Sequence, residues 1–112
     1  MLRDVLADVE RECYRQLQLW GDQAHPDGTG MPGDPEKAQQ AKNHTEEMTR
    51  QKTLTWRAIL EEEVREAFAE SATTPLRTEL IQSAAVIVSW VHRIDRRAAE
   101  TQSEADTAKA QL

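Results

Sequence analysis

Cysteine is nearly absent: the 112 residues contain one, Cys13. A lone thiol forms no internal disulfide, and its spacing to histidines and acids matches no zinc motif, so Cys13 reads as a small buried hydrophobe. Aromatic residues make up 4% of the chain and β-branched residues are sparse, which argues against a sheet. Three of the four prolines, Pro26, Pro32 and Pro35, fall in one short segment, and the fourth is Pro75. The remaining stretches are free of residues that break a helix. No run is apolar for long enough to span a bilayer. The start, Met1 to Asp4, has no apolar run after a basic residue, so no signal peptide is expected and a cytoplasmic location is. Excess basic charge is missing too. Lysine and arginine number 14 against 20 acids, for a net charge of −6. That is a poor surface for duplex nucleic acid, whose phosphates need a basic face. A small nucleotide is still admissible, because a metal ion bridges its phosphates to carboxylates.

What remains has helical periodicity. Leu2, Val5, Leu6, Val9, Cys13, Leu17 and Trp20 recur at threes and fours, which predicts a helix over 2–19 stopped by Gly21, with Trp20 packed in the core at its end. Residues 21–36, GDQAHPDGTGMPGDPE, read as a loop. A loop this long in a small domain is more often functional or mobile than inert. Asp34 as cap and Pro35 in the first turn predict a second helix over 35–52, weakly apolar and able to cover a site. Thr55 caps a third, Trp56 to about Ser71, with Ile59, Leu60, Val64, Ala67 and Phe68 as its apolar face. Thr74-Pro75 opens a fourth, running to about Ala99. Its centre, Ser83 to Val91, is apolar nearly all round, which implies burial on all sides. The expectation is therefore all-α: about four helices in one domain over 1–98, the core completed in a homodimer or homotetramer. Residues 99–112 are a polar tail with no face to bury, expected to fray.

The third helix carries the most unusual feature. Glu61, Glu62, Glu63, Glu66 and Glu70 crowd into twelve residues. Glu63, Glu66 and Glu70 stand at i, i+3 and i+7, and Glu62 and Glu66 at i and i+4, so they share one stripe. Like charges so placed repel by about 0.2–0.5 kcal/mol per exposed pair, and Arg65 alone does not neutralise them. Glu79 and Gln82 open the fourth helix one turn apart. Either the acids form a solvated face, for which glutamate is a common helix former, or a hard cation sits among them. Magnesium suits the second reading, manganese being the alternative, since it takes carboxylates together with waters and phosphates. Facing helices with acids at i and i+3 or i+4 build such sites in bundles. Around them, His25 and Trp20 are candidates for contacts to a nucleotide. Lys42 and Lys52, with His44 and Arg50, are the nearest basic candidates for its phosphates. GTGMPG, residues 28–33, is no phosphate-binding loop, because no strand precedes it and the Lys-Ser/Thr end is missing. No Ser-His-Asp or Cys-His arrangement stands out.

Glu62-Glu63-Val64-Arg65-Glu66 has the form E-E-x-x-E and is followed by Glu79-Leu80-Ile81-Gln82. This resembles the paired E-E-x-x-E and E-x-x-D motifs of the all-α nucleotide pyrophosphohydrolases, the MazG-like and dimeric dUTPase-like superfamily. The phrases LTWRAILEEEVREAFAE, LRTELIQSAAVIVSWV and QLWGDQAHPDGTG look especially like small MazG-like proteins of actinobacteria and their phages. The resemblance covers roughly residues 10 to 95. It implies a helical bundle with a core shared between subunits, magnesium on the acidic motif residues, and cleavage of nucleoside triphosphates between the α- and β-phosphates. Carried over, Glu62, Glu63, Glu66 and Glu79 would hold metal or orient the attacking water, Glu62 and Glu63 being the catalytic candidates. The family's aspartate is Gln82 here, which brings an oxygen but no charge. That departure keeps a second expectation open: a catalytically weak or inactive module that binds a nucleotide or a partner.

Overall fold

The computed structural model describes residues 1–111. Four helices account for the chain: α1 Leu2–Trp20, α2 Asp34–Gln51, α3 Trp56–Ala69 and α4 Thr73–Ala110, with no strand among the described residues. The all-α expectation holds. Two compact units can be distinguished. One comprises Met1–Gly21 and the part of α4 from Val88 onward; the other is Asp22–Ile87. None of the helices is long and apolar enough to cross a membrane.

Local chemistry explains most helix ends. α1 stops where Gly21 takes φ +69° and its N–H bonds the Leu17 carbonyl at 2.7 Å, a backbone conformation open to glycine. α3 starts at the Thr55 cap, whose hydroxyl accepts from the Ala58 N–H at 3.1 Å. α2 departs from expectation by one residue. Its cap is Gly33, at φ +90°, and Asp34 is already helical. The Asp34 carboxylate turns back instead to accept from the Met31 N–H at 2.9 Å, closing the last turn of the loop.

α4 is longer than expected at both ends. It begins at Thr73 rather than Pro75, because any position in the first turn tolerates proline, its N–H being unneeded there. It continues to Ala110, through the tail expected to fray. The segment 99–110 is exposed throughout, yet it is rich in alanine, glutamate, glutamine and lysine, which favour helix without burial.

Within the second unit, α2 packs on α3. Ala38, Ala41, Thr45 and Met48 are the half-buried residues of α2 beyond its first turn, and small side chains in that stripe let the helices approach. Thr45 donates to the Ala41 carbonyl at 3.0 Å and more weakly to the Ala58 carbonyl of α3 at 3.5 Å. Ala58, Ala67 and Leu76 are the buried apolar side chains of this unit, joined by Ser83. The Ser83 hydroxyl is satisfied by the Glu79 carbonyl at 2.9 Å. The 22–33 loop is tied down: the Gly30 N–H bonds the Phe68 carbonyl at 2.7 Å. A Cβ on Gly30 would come within 2.7 Å of Ser71 Cβ, at φ +71°.

Several residues expected inside lie outside in the single chain. Cys13 is exposed. Trp20 is 60% exposed and Phe68 43%. In α1 only Val5 of the apolar stripe is buried, while Leu2, Leu6, Val9 and Leu17 are open. In the apolar centre of α4, Ala84, Ala85 and Ile87 are exposed and only Ser83 is buried. Periodicity identifies the faces that have something to bury; one copy of the chain does not cover them.

Candidate functional site

Three carboxylates converge in the second unit. Glu63 and Glu66 stand at i and i+3 on α3, and Glu79 comes from the second turn of α4. Each offers one oxygen such that all three lie within 4.8 Å of one another, and all three residues are half-buried. Oε2 of Glu63 and Oε2 of Glu79 are shielded from solvent and have no hydrogen-bond partner. Shielded acceptors left unpaired are rare because they forgo water without compensation.

The electrostatics express the same strain. Burial pushes the Glu66 carboxyl up to about 7, helped by the charges of Glu63, Glu62 and Glu79 and by hydrogen bonding to Glu79. Glu63 is raised as well, first by burial and then by the charges of Glu79 and Glu62. No lysine or arginine has an ion pair with any member of the trio among the described residues. Carboxylates crowded without a cation of their own are a donor set of the kind that divalent cations take.

Two of the three, Glu66 and Glu79, border a groove of about 450 Å³ that α2 lines as well. Gln39 and Lys42 line it from α2, together with Glu66 of α3, its C-cap Glu70, and Glu79 of α4. Lys42, one of the basic candidates for a phosphate contact in the sequence reading, is thus among the lining residues. Gln39, one turn before it on the same face, escaped that reading; its i, i+3 relation to Lys42 was the available signal. Its amide donates to Asn43 at 2.9 Å.

Other candidates are placed elsewhere. Glu62 is half-buried on α3 and acts on the trio through its charge. Gln82 is exposed, one turn beyond Glu79. His25 is exposed in the loop, 3.2 Å from the Gln23 side-chain oxygen. Trp20 closes α1 in the first unit. Lys52 is the exposed C-cap of α2, at φ +59°, and does not line the groove. Arg50 is paired with Glu47, and His44 lines a different groove on α2.

No protein-family model, curated protein or solved structure matches the chain.

Proposed function

We propose that the protein is a magnesium-dependent, MazG-like nucleoside triphosphate pyrophosphohydrolase that releases a monophosphate and pyrophosphate. The observation that carries this reading is the convergence of Glu63, Glu66 and Glu79 with two shielded, unpartnered oxygens. The donor set fits a divalent cation: hard oxygen ligands, excess negative charge, and an open groove that leaves room for water and phosphate. Magnesium, or manganese in its place, would neutralise phosphate charge and lower the pKa of a bound water there.

The chain's own residues divide the remaining work. Glu63, Glu66 and Glu79 would hold the cation, Glu66 as its carboxylate. Glu62, outside the trio but beside it, is the carboxylate left to orient the attacking water and accept its proton. Lys42 lines the groove with Glu66 and Glu79 and takes the charge of the distal phosphates, with Gln39 beside it as a hydrogen-bonding partner. The reading also carries a cytoplasmic location, where nucleotides are found. It carries a homodimer or homotetramer as well, in which a second copy covers Ala84, Ala85 and Ile87 of α4.

A second reading rests on Gln82, which brings no charge and is exposed. With one carboxylate fewer than the paired motif of the family it resembles, the site would hold metal more weakly. The domain would then bind a nucleotide or a partner without cleaving it. A nucleotide panel with Mg²⁺ and with Mn²⁺, products separated by chromatography, distinguishes the two. The enzyme gives monophosphate and pyrophosphate with wild type and neither with Glu66→Gln. Absence of turnover in a folded wild-type protein would leave the binding module.

A further inference from the structure

The opposite flank of the α2–α3 pair has the reverse character. A groove of about 320 Å³ is lined by Lys37 and His44 of α2 and by Glu61 and Arg65 of α3. A second hollow of about 360 Å³ shares His44, Ala58 and Glu61 with it and adds Arg57. The shared residues make the two hollows neighbours, together a basic channel beside α2 and α3. Lys37, Arg57 and Arg65 supply three permanent positive charges against the single acid Glu61. None of the three has an ion pair among the described residues. On a chain with net charge −6, a concave surface with a local positive excess is not the default, and concavity concentrates its field.

We infer that this flank is a second binding site, separate from the acidic groove, for a small anion carrying two or more phosphate groups. Arginine presents a planar fork that matches phosphate oxygens two at a time, and the channel offers Arg57 and Arg65 with Lys37 as a third charge. Three cationic side chains favour an anion with several phosphate groups over one with a single phosphate. The net negative charge of the protein disfavours nucleic acid, which needs a continuous basic face. The small floor side chains, Ala41 and Ala58, admit an anion close to the helix surfaces. This site requires no metal, and that separates it from the acidic groove. Without a cation, Glu63, Glu66 and Glu79 repel phosphate, whereas the basic channel attracts it.

The test is a calorimetric titration of inorganic pyrophosphate into the full chain at low salt with EDTA present. The expected result is saturable binding that Arg65→Gln weakens by about tenfold, with a similar or smaller effect from Lys37→Gln or Arg57→Gln. Glu66→Gln leaves that binding unchanged. Circular dichroism checks that each variant keeps its helices, and the exposed Lys37 and Arg57 keep the test open if Arg65→Gln unfolds. Three results would overturn the inference: no saturable binding, binding indifferent to the three basic residues, or binding that Glu66→Gln removes. Because metal is excluded, failure here leaves the proposed hydrolase standing, and failure of the hydrolase leaves this site standing.

Discussion

The α2–α3 pair has two flanks, one of them completed by α4. On that one, Lys42 lines a groove with Glu66, Glu70 and Glu79; on the other, Lys37, His44 and Arg65 surround Glu61. Arg65 and Glu66 are adjacent in sequence, but a helix turns about 100° per residue, so neighbours serve different faces. The acidic flank is under electrostatic strain, with two shielded oxygens unpaired and Glu66 raised to about 7. On the basic flank, by contrast, Lys37 and Arg57 are exposed, Arg65 is half-buried, and none has a shielded, unpartnered atom among the described residues. Strain confined to one side, at a wall with room for a ligand, is the observation on which the proposed cation site rests.

The comparison can be broken or sharpened experimentally. The largest effect concerns turnover. Glu66→Gln should lower nucleotide cleavage by at least about a hundredfold, equivalent to about 2.7 kcal/mol in the barrier. A variant that retains activity would remove the acidic flank from the reaction. Next in size is the loop anchor: Gly30→Ala introduces a Cβ where Ser71 already sits, at a φ that side chains rarely adopt. It should cost about 1–3 kcal/mol in chemical denaturation, and a neutral result would mean that the loop is not held at α3.

A smaller effect comes from pH. Because burial and neighbouring charge raise Glu66 from 4.5 to about 7, the folded protein binds more protons than the unfolded chain between those values. Metal-free stability is therefore greatest below about pH 4.5 as far as this group is concerned, and is lost as pH rises through 7. After solvent screening the loss should be about 1–2 kcal/mol. Thermal unfolding in EDTA from pH 4.5 to 8 measures it, and Glu66→Gln should flatten much of the slope. A stability that rises over that interval in the wild type and not in the variant would reverse the sign assigned to the acidic flank. Smallest is Thr55→Ala, which removes the cap of α3 at the edge of the basic flank. It should cost about 1 kcal/mol without altering any cation effect on the other side.

Much of this organisation could be read in the sequence, for specific reasons. Gly21 and Thr55 marked helix ends because each answers a local backbone need, and both act as expected. The i, i+3 spacing of Glu63 and Glu66 put them on one face whatever the tertiary structure. Less could be read where the outcome depended on register between helices. Nothing in E-E-x-x-E says that Glu63 rather than Glu62 joins Glu66, or that Glu79 joins them while Gln82 turns to solvent. Lys42 and Lys52 were equivalent in composition. α2 brings the first to the groove and uses the second to end itself. The interior positions of Cys13, Trp20 and Phe68 were inferred from apolar character alone. A single copy leaves all three open, since periodicity says which face seeks cover and not what supplies it.

The central claim is that Glu63, Glu66 and Glu79 are a divalent-cation centre. Its most direct test is titration of Mg²⁺ and Mn²⁺ into the metal-free protein at pH 7.5, followed by thermal unfolding, with Glu66→Gln alongside. The account predicts saturable stabilisation of the wild type, about 2.7 kcal/mol at a hundred times the dissociation constant, and its loss in the variant. No cation effect on the wild type, together with a Glu66→Gln protein simply made more stable by relief of repulsion, would contradict it.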